Sequence, residues 1–338
     1  MSIQNAWYKG SVWLWLLWPL SLLFRSLAAR RRRKLEANRV YNPRFAPVIV
    51  VGNISVGGTG KTPMVVALVK LLQSKGLKPA VISRGYGGSA TRYPIQVSAE
   101  SSVEEVGDEA VLIRRSIDCP FVVDPKRTRA LELLASEGEC NIVISDDGLQ
   151  HYEMDRALEI VVIDGERLLG NEQCLPSGPL REPKSRLSEV DFVILNGGDD
   201  SAWQRLNMPL DEAAKASMSL EPSAWVNLCN SERVGLAFLP IAEGEQLHAV
   251  AGIGNPQRFF RVARALGYQP LCHPFPDHYM FSANDFCWKQ ASTVIMTQKD
   301  AVKCEHFCNE HYWYLDISAK FSAGFEQRLL QRIEALLK

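Results

Sequence analysis

One stretch of eight residues limits what this chain can fold into more than any other feature. Residues 55–62 read Ser55-Val56-Gly57-Gly58-Thr59-Gly60-Lys61-Thr62. They follow the apolar run PVIVVGN at 47–53, which reads as a buried strand. They precede residues 61–75, whose apolar positions, Leu68, Leu71 and Leu72 among them, carry helical spacing. A glycine-rich turn between a strand and a helix is the context of a phosphate loop. Small residues let backbone N–H groups turn inward around phosphate oxygens, and the helix N-terminus adds donors and a favourable dipole. All eight residues are therefore expected to bind a nucleoside triphosphate, with Lys61 reaching the β- and γ-phosphates and the Thr62 hydroxyl ligating magnesium. The general pattern opens on glycine, where this chain has Ser55. A glycine-rich turn that binds nothing is the alternative, and it leaves Gly-Lys-Thr in this context unexplained.

A magnesium–triphosphate site needs carboxylates. The run NIVIS at 141–145 ends in Asp146-Asp147-Gly148-Leu149-Gln150-His151. Ligands of open α/β sheets bind at the carboxyl ends of strands, so at least one of these aspartates is expected to contact magnesium. Asp-Asp-Gly is also turn chemistry. Gly107-Asp108-Glu109 precedes a helical stretch, where acidic residues favour a first turn on their own account. With a phosphate loop in the same domain, the pair becomes a candidate for the base that a hydroxyl acceptor requires.

Further strands are expected at 79–83, 120–124, 158–164 and 191–196, with helical stretches between most of them. That alternation indicates an α/β domain with a mainly parallel sheet. Residues 197–245 are less regular and are expected to hold the domain connection. A second alternating set follows, with strands at 248–252, 293–297 and 312–318 and helices at 256–266 and 322–337. The expected organisation is an N-terminal segment (1–35), a phosphate-loop domain (36–220) and a smaller α/β domain (221–338). Net formal charge is zero, so nothing points to nucleic acid as a partner. The eight cysteines form no CxxC pair and read as reduced thiols. The tightest group, Cys304, His306, Cys308 and His311, is spaced too closely for the usual zinc fingers, and the expectation is ordinary core and surface residues.

Residues 11–24 read SVWLWLLWPLSLLF between Lys9 and Arg25. A helix of that length spans roughly 20 Å, short of the ~30 Å hydrocarbon core. Trp13, Trp15 and Trp18 suit the water–lipid boundary, and the basic run Arg30–Lys34 suits anionic headgroups. The expectation is a helix over 1–35 lying on, or dipping into, a membrane surface. A full span, a signal peptide and a buried core helix are the alternatives.

The motifs together resemble the tetraacyldisaccharide 4′-kinases of lipid A biosynthesis. The matching segments are SVGGTGKTP (55–63), SRGYG (83–87), VGDEA (106–110), DDGLQH (146–151), GPLREP (178–183), AGIGNPQRF (251–259), Asp277-His278 and TQKDAVK (297–303). The resemblance implies ATP and Mg2+, two α/β domains closing on the nucleotide, and transfer of the γ-phosphate to the 4′-hydroxyl of a tetraacylated disaccharide 1-phosphate, yielding lipid IVA. It implies Asp108 as the base, and Lys61, Asp147 and His278 as further catalytic residues. Thr62, Glu109, Asp146 and Gln150 would then face the metal, Arg181 and Glu182 would border the site, and Arg84 and Tyr86 would face the lipid. A monomer at the cytoplasmic face of the inner membrane is expected. Without the resemblance, His278 in PFPDHYMF reads as structural. Three rival functions remain: a hydrolysing GTPase or ATPase, with Thr297-Gln298-Lys299-Asp300 only a loose echo of a guanine-specifying motif; a dinucleotide-binding module at Gly252–Gln257, whose third glycine position holds Gln257; and a purely structural membrane adaptor, which leaves the phosphate loop unexplained.

Overall fold

The computed structural model describes residues 3–199, 201–242, 244–288 and 292–337. In chain order the elements are α1 (Ile3–Lys9), α2 (Trp18–Ala37), β1 (Val48–Gly52), α3 (Lys61–Ser74), β2 (Pro79–Ser83), β3 (Ile95–Gln96), α4 (Val103–Val106), α5 (Asp108–Ser116), β4 (Phe121–Val123), α6 (Arg127–Glu137), β5 (Ile142–Asp146), β6 (Leu158–Asp164) and β7 (Phe192–Asn196). They continue with α7 (Ala202–Leu206), β8 (Lys215–Asn227), β9 (Arg233–Val234), β10 (Gln246–Ala251), α8 (Pro256–Ala265), β11 (Leu271–Pro274), β12 (Ser292–Thr297), α9 (Gln298–Cys304), β13 (Tyr312–Phe321) and α10 (Phe325–Leu336).

The strands form one sheet in the order β11-β10-β12-β13-β8-β7-β6-β1-β5-β2-β4-β3, with β9 on the flank of β8. From β7 to β4 every pairing is parallel. Both faces of this part are covered. Val51, Ile144, Ile160 and Ile194 pack on one side with Leu68 of α3, and Val50, Val143, Val161 and Val193 on the other with Leu131 of α6. Burial on both faces explains why the strands read as continuous apolar runs rather than alternating ones. The α/β class and the phosphate-loop sheet expected from sequence are both present.

The expected irregular connection at 197–245 contains β8, a strand of 13 residues. Its first half pairs in parallel with β7, and it then forms a long antiparallel ladder with β13, joining the two halves of the molecule through one sheet. The expected boundary at residue 220 falls within this strand. Pro222 lies where the register shifts between Asp316 and Ile317, a bulge that tolerates a residue without an N–H.

The N-terminal segment is not one helix. Gly10 adopts a left-handed φ of 68° and closes α1, a 3₁₀ turn covers Val12–Leu17, and Pro19 sits in the first turn of α2, where its missing N–H costs nothing. Trp7, Leu14 and Ser21 face the protein body. The Trp7 indole donates to Pro176 O (3.0 Å), Ser21 Oγ donates to Cys174 O (2.8 Å), and Ser177 Oγ donates to Leu14 O (2.9 Å). Trp13, Trp15, Leu16, Leu20, Leu23 and Leu27 are exposed. Val12–Ala37 is long and apolar enough to cross a membrane by length and composition, and only 11% of its apolar window is buried in the protein. That low burial sets aside the buried core helix.

Candidate active site

Four parallel strands deliver the site from their carboxyl ends: β1 runs into the phosphate loop, β5 ends on Asp146, β6 on Asp164 and β7 on Asn196. Two amides behind the loop hold its shape. Asn196 Nδ2 donates to Thr59 O (3.0 Å), and Asn53 Nδ2 lies 3.4 Å from Thr59 Oγ1. Gly60 carries a φ of 95°, and a Cβ there would come within 2.2 Å of Asn196 Nδ2. Gly57 and Gly58 have open space where a Cβ would point. Ser55 is buried, and the amide of Val56 donates to Pro179 O (2.9 Å). Thr62 opens α3 beside Lys61 at the cavity wall.

Lys61 Nζ lies 3.5 Å from Asp147 Oδ1, and Arg181 Nη1 lies 3.2 Å from Asp147 Oδ2. Asp147 sits at a left-handed φ of 45°, a strained position for a residue with a side chain. Burial raises its carboxyl, but Lys61 and Arg181 outweigh burial and hold it down at about 2. Asp146 behaves oppositely. It is fully enclosed, and burial first, then the negative charges of Glu109 and Asp147, push it up to about 7. Ser83 Oγ donates to its Oδ2 (3.1 Å), while Oδ1 is buried with no partner. An unpartnered carboxylate oxygen near hydroxyl and carboxylate donors fits a hard divalent cation such as magnesium. Gln150 Nε2 donates to Asn53 O (3.1 Å) and to Glu182 Oε1 (2.7 Å). Glu182 is buried at the cavity wall and bonded also to the Tyr152 hydroxyl. His151, next to Gln150 in the chain, is pushed down to about 3 by burial and by Arg127 and Arg84, which keeps the ring neutral.

Asp108 opens α5 and is buried, and its Oδ1 accepts the Glu109 N–H (2.9 Å). From the other half of the molecule comes His278, at a left-handed φ of 59°, with Nδ1 3.0 Å from Asp108 Oδ2. Lys299 at the start of α9 reaches the same point. Its Nζ lies 3.2 Å from Glu109 Oε1, 3.5 Å from Asp277 Oδ1 and 3.3 Å from His278 Nε2. An ammonium donates, so Nε2 accepts, and the ring proton belongs on Nδ1 facing Asp108. Burial raises the Asp108 carboxyl, but the His278 bond and Lys299 bring it below its ordinary value. The bond to Asp108 raises the His278 ring, against burial and Lys299.

The structure brings Lys61, Thr62, Glu109, Asp146, Asp147, Gln150, Arg84, Tyr86, Arg181 and His278 to the wall of one cavity of about 2460 Å³, with Asp108 buried behind His278. The cavity continues to Leu22, Arg25 and Leu27 of α2. Sequence reasoning assigned no role to Asn53, Asn196 or Lys299. Lys299 lay inside the quoted TQKDAVK segment, and only its spatial position distinguishes it from a surface lysine. The Gly252–Gln257 loop faces the phosphate loop: a Cβ on Gly254 would lie 3.3 Å from Gly58 N. Among the described residues no group of three or more His, Cys, Asp or Glu could hold a metal on its own, and Cys304, His306, Cys308 and His311 do not converge.

The fold and this cleft define a P-loop enzyme acting on a nucleoside triphosphate. The family model for tetraacyldisaccharide-1-P 4′-kinase matches residues 13–334. A tetraacyldisaccharide 4′-kinase of Alcanivorax borkumensis is 45% identical over 331 residues, covering 98% of this chain and 96% of its own. One from Pseudomonas putida is 45% identical over 321 residues, covering 95% and 92%. The LpxK protein of Aquifex aeolicus, solved in complex with ATP, superposes with a TM-score of 0.78 at 28% identity, covering 96% of this chain and 99% of that one. The chain belongs to the tetraacyldisaccharide-1-phosphate 4′-kinase family.

Proposed function

We propose that this cleft transfers the γ-phosphoryl group of ATP to the 4′-hydroxyl of a tetraacylated disaccharide 1-phosphate, completing a 1,4′-bisphosphate lipid. The observation that carries this reading is the Asp108–His278 pair, one residue from each half of the molecule, meeting at 3.0 Å, with His278 on the wall of the same cavity as the phosphate loop. A hydrolase needs only water at that point; a buried carboxylate oriented by a histidine suits a sugar hydroxyl.

Phosphoryl transfer asks the protein for positioning and charge stabilisation. The amides of residues 57–62 and the Lys61 ammonium would take the β- and γ-phosphate oxygens. Asp108 Oδ2 would accept the hydrogen bond of the 4′-hydroxyl and then its proton, as that oxygen bonds to the γ-phosphorus and the bond to ADP breaks. The transition state is loose, so the proton leaves late, and a carboxylate of low basicity suffices if it is well placed. His278 would hold Asp108 in place through Nδ1–H. Thr62, Glu109, Asp146 and Gln150 are the residues that would hold magnesium, which would supply positive charge to the phosphate oxygens. Arg181 keeps Asp147 ionised and aimed at Lys61.

The parts of the molecule on either side of β8 would act as two bodies closing over the nucleotide, because the cleft residues divide between them. The exposed apolar face of residues 12–27 and the basic run that follows would seat the enzyme, as a monomer, on the cytoplasmic face of the inner membrane, where acyl chains remain in the bilayer. The test is an assay with γ-labelled ATP and the disaccharide 1-phosphate in detergent. Label is expected in a bisphosphate lipid. Free phosphate alone, with or without the lipid, would favour the hydrolase.

A further inference from the structure

Two cysteines that the reaction does not use lie within bonding reach of each other. Cys229 follows the end of β8 and Cys308 precedes β13, and their sulfurs are 2.6 Å apart although 79 residues separate them. That is well inside the contact distance of two thiols and close to a disulfide's ~2.05 Å. The backbone fixes this approach independently of the sulfurs. The amide of Leu228 donates to Tyr312 O (2.8 Å), Asn227 Nδ2 donates to Glu310 O (2.7 Å), and the Asn227 side chain accepts the Cys229 N–H (3.0 Å). Cys229 is exposed and Cys308 half-buried, so one sulfur meets solvent and the other waits behind it. Two further cysteines stand near the same Tyr312 ring, but Cys304 is fully buried and the Cys287 thiol donates to Ala283 O (3.4 Å).

We propose that Cys229 and Cys308 form a reversible disulfide when the protein meets a low-molecular-weight disulfide oxidant. The Cys229 thiolate attacks one sulfur of the oxidant, forming a mixed disulfide and expelling one thiolate. Cys308 then loses its proton to solvent and attacks Cys229 Sγ, expelling the second thiolate. Two protein thiols become one disulfide, and the oxidant is reduced to two thiols. Burial and the neighbouring Cys229 thiol push the Cys308 thiol up to about 11, which leaves Cys229 as the residue that reacts first. The resulting bond fastens the β8–β9 turn to the segment after α9, at the end of β8 farthest from β7 and the phosphate loop.

The full-length native protein is incubated with oxidised glutathione, the remaining thiols are alkylated, and the products are examined by intact mass and peptide mapping. The wild type is expected to lose two hydrogen atoms in mass, retain no glutathione, and yield one cross-linked peptide joining 229 to 308, which dithiothreitol reverses. Cys308→Ser is expected to stop at the mixed disulfide, with one glutathione on Cys229. Oxidation should raise the thermal midpoint of the wild type and leave that of Cys229→Ser unchanged. A wild type that keeps glutathione on Cys229 with Cys308 free, or that cross-links Cys287 or Cys304 instead, would overturn the proposal.

Discussion

Replacing Asp108 by asparagine separates basicity from shape. The side chain is buried, accepts the Glu109 N–H at 2.9 Å and meets His278 Nδ1 at 3.0 Å. Asparagine keeps the volume and can keep both contacts through Oδ1, which accepts from Glu109 and lies 3.2 Å from the Nδ1–H of His278. What disappears is the negative charge. Exchanging a charge-assisted bond for a neutral one costs about 1 kcal/mol of stability, so the variant should fold. Losing a positioned base typically costs about 10²–10⁴ in rate, or about 3–5 kcal/mol in the barrier. Because Asp108 is assigned to the acceptor hydroxyl rather than to the nucleotide phosphates, the Kd for ATP should stay within about twofold, under ~0.5 kcal/mol. Single-turnover transfer from γ-labelled ATP gives the rate, and calorimetry with a non-hydrolysable analogue gives the affinity. A turnover within threefold of wild type, in a variant that binds the analogue normally, removes Asp108 from the base role.

Asp146 should leave a pH signature in the metal-free protein. Its folded carboxyl is raised to about 7, so its contribution to stability is complete below the unfolded value and is lost as pH rises through 7. Urea unfolding should show wild type gaining on Asp146→Asn between about pH 7.5 and about pH 5.5; no change in their difference would contradict the burial argument. Arg186 is buried, with Nη2 donating to both Glu159 carboxylate oxygens at 2.6 Å and Nε to the Tyr152 hydroxyl at 3.1 Å, and Arg156 also reaches Glu159 at 2.8 Å. Arg186→Met should destabilise by about 3 kcal/mol in urea melts, because Arg156 only partly compensates the stranded carboxylate. Replacing Trp15, Leu16, Leu20 and Leu23 by serine should reduce sedimentation with anionic vesicles without changing analogue binding, since all four are exposed. Unaltered sedimentation would dissociate that face from the membrane.

Much of this architecture was legible because single signals carried it. The phosphate loop declares its strand, its helix and its chemistry within eight residues, and doubly covered parallel strands read as plain apolar runs. What escaped was set by partners distant in the chain. In β8, the stretch SMSLEPSAWV mixes polar residues with a proline, and it becomes a strand only because β7, β9 and β13 flank it. Asn53 and Asn196 are ordinary asparagines until the fold sets them behind Thr59. Lys299 acquires its meaning from Glu109, Asp277 and His278, which lie between 21 and 190 residues away. Conversely, Asp108 is a candidate base from its place before a helix in a phosphate-loop domain and His278 only through the family resemblance, and the 3.0 Å contact between them cannot be read from their spacing. The break in the N-terminal helix was signalled by Gly10 and Pro19, two residues that the apolar run outweighed.

The most direct test is a crystal structure of the protein with a non-hydrolysable ATP analogue and magnesium. The triphosphate should lie within hydrogen-bonding distance of the amides of residues 57–62, with Lys61 Nζ on the outer phosphates and the terminal phosphate turned toward Asp108. A nucleotide seated outside this loop, or a terminal phosphate pointing away from Asp108 in the closed protein, would contradict the account.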